Sequence, residues 1–273
     1  LGRRMTMPEP IVVLDQPRDR VALPRGFPAE LVRSADEARE AFVRDRSRRS
    51  LWIASRERSL RLLPSLGWSD RAERRLLVLH AVACSRRSWL QTMFRYVVAA
   101  DKGVCLLPRP ELFEALSAES RDALIVAGVL DRDVGLAVFF RGNLEPVQVP
   151  LLWFPPAGHG AGVGGRTGLN ISDSGQTVVV NGAEVATHAI LYEFDPEYRR
   201  LAKQRRIEQD DSFGGALRRL RNLRGLSRSA FEPALTAKEV ARIESGRVRR
   251  PRSKTLAALA RKLRVRPEDI QTY

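Results

Sequence analysis

The sequence predicts a multidomain α+β protein: a mixed, mostly helical N-terminal domain, a small α+β middle domain, and an all-α, five-helix C-terminal domain. Three observations support this. A chain of 273 residues has room for two or three domains. Hydrophobic residues make up 44%, enough for real cores, which excludes a mainly disordered chain. The formal charge of +15 is also unevenly placed: +7 on residues 1–130, −4 on 131–195 and +12 on 196–273. Codon usage can enrich arginine, and lysine occurs only at 102, 203, 238, 254 and 262. It would not concentrate the charge in the last segment, whereas an anion-binding module would. The expected domains are 1–130 and 131–195, a charged linker helix at 196–211, and 212–273.

In the N-terminal domain IVVL at 11–14 and LWIA at 51–54 are short strand candidates. Ser34 with Glu37 forms a capping-box signature ahead of Ala38, Ala41 and Phe42 at helical spacing. Residues 69–84 repeat the pattern with Ser69 or Asp70 as cap, and residues 87–101 read as a further amphipathic helix. Pro108 and Pro110 open another helix, ELFEALS. In the middle domain GLAVFFRG and EPVQVPLLWF read as strands joined near Gly142 and Asn143. LNISDSGQTVVV reads as a hairpin turning at Ser174-Gly175, and AEVATHAIL as a short helix. Pro196 opens the linker helix.

From Leu217 to Ile270 the apolar spacing defines five short helices. Leu217, Leu220 and Leu223 mark the first, which stops at Gly225. Ser227 opens a very short second helix with Phe231 inward, and Pro233 stops it early. Thr236 and Glu239 form a capping box on the third, which buries Val240 and Ile243 and ends at Gly246. The fourth spans roughly 253–264, with Leu256, Leu259, Ala260 and Leu263 inward. Pro267 starts a last turn that Ile270 closes.

This stretch resembles the lambda-repressor-like (Cro/CI, or XRE) helix-turn-helix family. The resemblance rests on LRRLRNLRGLS, VARIESG, a proline shortly after it, TLAALARKL and a final PEDI. It departs from the family's pattern between Phe231 and Thr236, where the turn is about two residues shorter. The resemblance implies that the third helix enters the DNA major groove and turns its N-terminal side chains to the base edges. The base-contact candidates are then Thr236, Ala237, Lys238, Glu239 and Arg242. Lys238 would donate to guanine, Ala237 would meet a thymine methyl, and Glu239 would either accept from cytosine N4 or serve only the capping box. The phosphate-contact candidates are Arg228, Arg247, Arg249, Arg250, Arg252 and Lys254. Glu244 is expected to hold the fold through an internal ion pair.

The Gly-rich loop AGHGAGVGGRTG matches both GxGxxG and a P-loop with arginine in place of lysine. Each needs a helix after the loop, and the strand-like LNISDSGQTVVV follows instead, so a plain glycine loop is expected. The middle segment, with WFP at 153–155 and the later hairpin, weakly resembles a small domain of unknown function found with such helix-turn-helix modules. Some members of that family are suspected antitoxins. His80, His159 and His188 show no metal spacing, no GxSxG is present, and Asp131 and Asp133 flank a turn. Cys84 and Cys105 read as buried small hydrophobes, and their scarcity fits a reducing, cytoplasmic compartment. LGRRMTMPEP has no signal-peptide core, and Met5 or Met7 is the expected start. No apolar run reaches membrane-spanning length.

The expected function is a DNA-binding transcriptional regulator, not an enzyme. It would need no cofactor or metal, bind double-stranded DNA as a homodimer, and leave residues 1–195 for sensing, dimerisation or a protein partner. The alternative is an antitoxin-like protein that binds a toxin through 1–195 and represses its own operon.

Overall fold

A computed structural model describes residues 9–15, 23–45, 49–65, 73–155 and 168–272. The chain forms two compact units, Leu1–Asp195 and Pro196–Tyr273.

The first unit opens on a five-stranded parallel sheet: β1 (Ile11–Leu14), β2 (Ala29–Val32), β3 (Leu51–Ala54), β4 (Arg75–Val78) and β5 (Tyr96–Ala99), in the order β2-β1-β3-β4-β5. Its inner strands are buried on both faces, as parallel sheets require, so IVVL and LWIA carry no polar alternation. Val12, Leu14, Trp52, Ala54, Leu76, Val78 and Ala99 share one core with α1 (Ala35–Arg44), the 3-10 turn Glu57–Ser65 and the segment around α2 (Cys84–Leu90). Phe42, Trp52 and Phe94 meet ring to ring in that core. The Ser34 hydroxyl accepts from the Glu37 N–H, so α1 starts where its sequence cap predicts.

The expectation of a mostly helical N-terminal domain is corrected here. Arg75–Val78, inside the expected 69–84 helix, is strand β4, and Tyr96–Ala99, inside the expected 87–101 helix, is strand β5. Part of the first of these, with Ser69 and Asp70, lies outside the described residues. RLLV and YVVA are short apolar runs whose periodicity fits either state, and pairing with the neighbouring strand decides.

A second, antiparallel sheet follows: β6 (Val104–Leu106), β7 (Ile125–Asp131), β8 (Leu136–Arg141) and β9 (Pro146–Pro150), with α3 (Arg109–Ser117) between its first two strands. β7 crosses residue 130, the position expected as a domain edge. A three-stranded antiparallel sheet, β10 (Leu169–Ser172), β11 (Thr177–Val180) and β12 (Ala183–Ala186), then leads into α4 (Thr187–Phe194). The hairpin at Ser174-Gly175 forms as expected, whereas the first half of AEVATHAIL is strand and only the second half helix. A side chain on Gly128 of β7 would press on Leu169 and Phe139, each 3.0 Å from its Cβ, so the glycine lets β10 lie close. Residues 156–167, most of the glycine loop with His159, lie outside the described residues, and a strand, β10, follows that gap.

The second unit is helical: α5 (Pro196–Glu208), α6 (Phe213–Leu223), a 3-10 turn at Arg228–Phe231, α7 (Ala237–Glu244), α8 (Ser253–Leu263) and a closing turn at Pro267–Thr272. Leu217, Leu220, Phe231, Leu235, Val240, Ile243, Leu259, Ala260, Leu263 and Ile270 form its core. Among the described residues, no helix is long and apolar enough to cross a membrane.

Candidate nucleic-acid interface

The candidate interface comprises α7 and the segment after it. Thr236 caps α7: its hydroxyl accepts from the Glu239 N–H at 3.2 Å, while the Glu239 carboxylate accepts from the Thr236 N–H at 2.8 Å. This reciprocal box occupies Thr236 and one oxygen of Glu239. The same backbone N–H, followed by the Thr236 hydroxyl, holds the Glu239 carboxyl below its ordinary value. The capping role open for Glu239 in the sequence is therefore present in the structure.

Val240, Ile243 and Glu244 face inward. Lys238 and Arg242, four residues apart, share the exposed face, and Ala237 is half-buried at its start. Gly246, at φ +73, turns the chain out of the helix, and Val248 N–H returns to the Arg242 carbonyl at 3.2 Å. Val248 packs against the core, so Arg247 and Arg249 on either side of it stay exposed. Arg250, Arg252 and Lys254 continue the exposed cationic run into α8.

Arg228 sits elsewhere. Its Nε donates to Glu244 Oε2 at 2.8 Å, with the side chain 46% exposed. Glu244 itself is fully buried and gathers three guanidinium groups. Arg221 Nε donates to Oε1 at 2.5 Å, and Arg218 Nε lies 3.9 Å from Oε2 while its Nη2 donates to the Glu244 carbonyl. The expected internal ion pair is thus a cluster joining α6, the Arg228–Phe231 turn and α7. Arg218 and Arg221 were missed in the sequence. Their signal was their spacing of three on α6, which puts both on one helix face.

Two glycines set the approach of α6. A Cβ on Gly214 would stand 2.4 Å from the Ile243 carbonyl oxygen, and one on Gly215 would stand 2.0 Å from that of Asp210. Arg219 Nη1 donates to the Glu208 and Asp210 carbonyls and so ties the end of α5 to α6. The expected second helix is only the four-residue turn Arg228–Phe231. Ser227 makes no side-chain cap there and instead bonds Ser229, and the Glu232–Pro233 peptide after the turn is cis.

Among the described residues, no three His, Cys, Asp or Glu side chains are placed to hold a metal ion. His80 follows β4 and bonds the Ala81 carbonyl through Nδ1, so it does not lie within a helix, and His188 packs its ring on Tyr192. Cys84 is exposed at the start of α2, contrary to expectation, while Cys105 is half-buried and burial raises its thiol pKa. Asp131 accepts from the Val134 N–H in the expected turn.

A family model described as Helix-turn-helix matches residues 217–270, the Cro/CI/XRE-type module that the C-terminal sequence resembles. No curated protein and no solved structure matches the chain.

Proposed function

We propose, from that helix-turn-helix match, that the chain is a sequence-specific transcriptional regulator that binds double-stranded DNA through residues 212–273. The observation that carries the reading is the exposed face of α7, with Lys238 and Arg242 on one side of a helix whose other side is core, in a unit of net charge +12. A helix so presented fits the major groove, where lysine and arginine read guanine O6 and N7. Ala237 at its start would meet a thymine methyl. Thr236 and Glu239 serve first as the cap, and Glu239 has a second oxygen for a cytosine amine. Arg247, Arg249, Arg250, Arg252 and Lys254 neutralise phosphates, while Arg228 divides its guanidinium between Glu244 and solvent.

Binding as a homodimer would give two half-sites about one helical turn apart. Residues 1–195 would then supply the sensing or pairing function, with no catalytic step, in the cytoplasm alongside the DNA. Selection of bound sequences from a random duplex pool tests the proposal. A palindromic consensus is the expected result, and recovery of an unenriched pool would refute it.

A further inference from the structure

The first unit carries an open cleft outside the residues proposed to meet DNA. It has a volume of about 350 Å³ and is lined by Leu60, Arg61, Ser85, Arg86 and Trp89. These residues belong to the two segments that leave the carboxyl ends of the adjacent parallel strands β3 and β4. The cleft shares β3 with the sheet's topological switch point, which lies between β1 and β3, and its volume suits a small molecule.

The lining has two chemical parts. Trp89 packs on the sheet's core and is only partly buried, so it offers the accessible apolar surface, while Leu60 is 2% exposed and backs it from the core. Arg61, Arg86 and Ser85 supply two guanidinium groups and a hydroxyl. Arg86 pairs with Glu57, which itself lies 3.8 Å from His80 Nδ1. Arg61 is exposed and forms no ion pair among the described residues. Two further polar atoms belong to the same segments: Ser59 Oγ, next to Leu60 and fully buried, and His80 Nε2 are both buried without a hydrogen-bond partner among the described residues. Buried groups of this kind are normally satisfied.

We infer that this cleft binds a planar aromatic anion, with its ring against Trp89 and its anionic head on Arg61, beside the Glu57-paired Arg86. A guanidinium group matches the geometry of either a carboxylate or a phosphate, so aromatic acids and mononucleotides share the required chemistry. The inference stands on the first unit alone and does not depend on the DNA-binding proposal.

Titration calorimetry on the full chain with salicylate, adenosine monophosphate and glycerol phosphate tests it. At least one of the two ring-bearing anions is expected to bind, and glycerol phosphate about tenfold more weakly or less. Binding of salicylate alone assigns a carboxylate head, and binding of the nucleotide alone a phosphate. Arg61→Glu should weaken binding about tenfold or more at an unchanged melting temperature, while Lys262→Glu, the same charge change in the other unit, should not. The proposal is overturned if neither ring-bearing anion binds at about 1 mM, if glycerol phosphate binds equally well, or if Arg61→Glu binds like the parent chain.

Discussion

Glu244 shows how much a single side chain can organise. It has no exposure to water, and Arg218, Arg221 and Arg228 converge on it from two other elements. Removing one partner of a buried charge cluster typically costs about 3–5 kcal/mol, because the rest stay desolvated and unpaired. Glu244→Ala should therefore destabilise the second unit by that order in urea unfolding. Arg228→Ala, whose charge is nearly half-exposed, should cost within about 1 kcal/mol. Lys238 makes the opposite kind of contribution. It is exposed, so Lys238→Ala should leave the melting temperature alone and relax sequence preference at one base pair by about 1–3 kcal/mol, read by competition between duplexes. The sequence pointed to a partner for Glu244 but not to three, because the arginines that meet it are 16 to 26 residues away and only the packing of α6 on α7 brings them in.

At the scale of elements, α7 depends on its cap and on the glycines that let α6 approach. Thr236→Ala removes the hydroxyl from the box and should cost about 1 kcal/mol in thermal unfolding. The Glu239 carboxyl lies below its ordinary value in the fold, so its contribution is complete above that value and is lost as the pH falls through the folded one. Glu239→Gln keeps a side chain that can close the box but cannot titrate, and this part of the acid dependence should disappear when the unfolding of the two chains is compared across pH. Gly214→Ala places a methyl group 2.4 Å from a carbonyl oxygen, which should destabilise by about 1–3 kcal/mol or force α6 away from α7. The box was legible because Thr-x-x-Glu is a local signal. The strands RLLV and YVVA were not, because four apolar residues look the same in a buried strand and on a helix face. Their identity lies in backbone pairing with residues about 20 positions away. The shortened second helix was legible in Pro233, although its capping by Ser227 was not realised.

For the whole molecule, the distribution of charge matters more than its total. The second unit holds +12, and its exposed run from Arg247 to Lys254 carries five cations. Each phosphate neutralised contributes about −0.9 to the slope of log affinity against log salt. Replacing Arg249 and Arg250 together by alanine should flatten that slope by nearly 2 on specific and random duplexes alike, measured with the full chain.

The buried carboxylate also shapes this field. Glu244, the last residue of α7, offsets part of the charge of the three arginines gathered on it, whereas among the described residues no carboxylate pairs with the run from Arg247 to Lys254. On the DNA-binding proposal, that unpaired run would be the first part of the unit to meet a polyanion, orienting it before any base is touched.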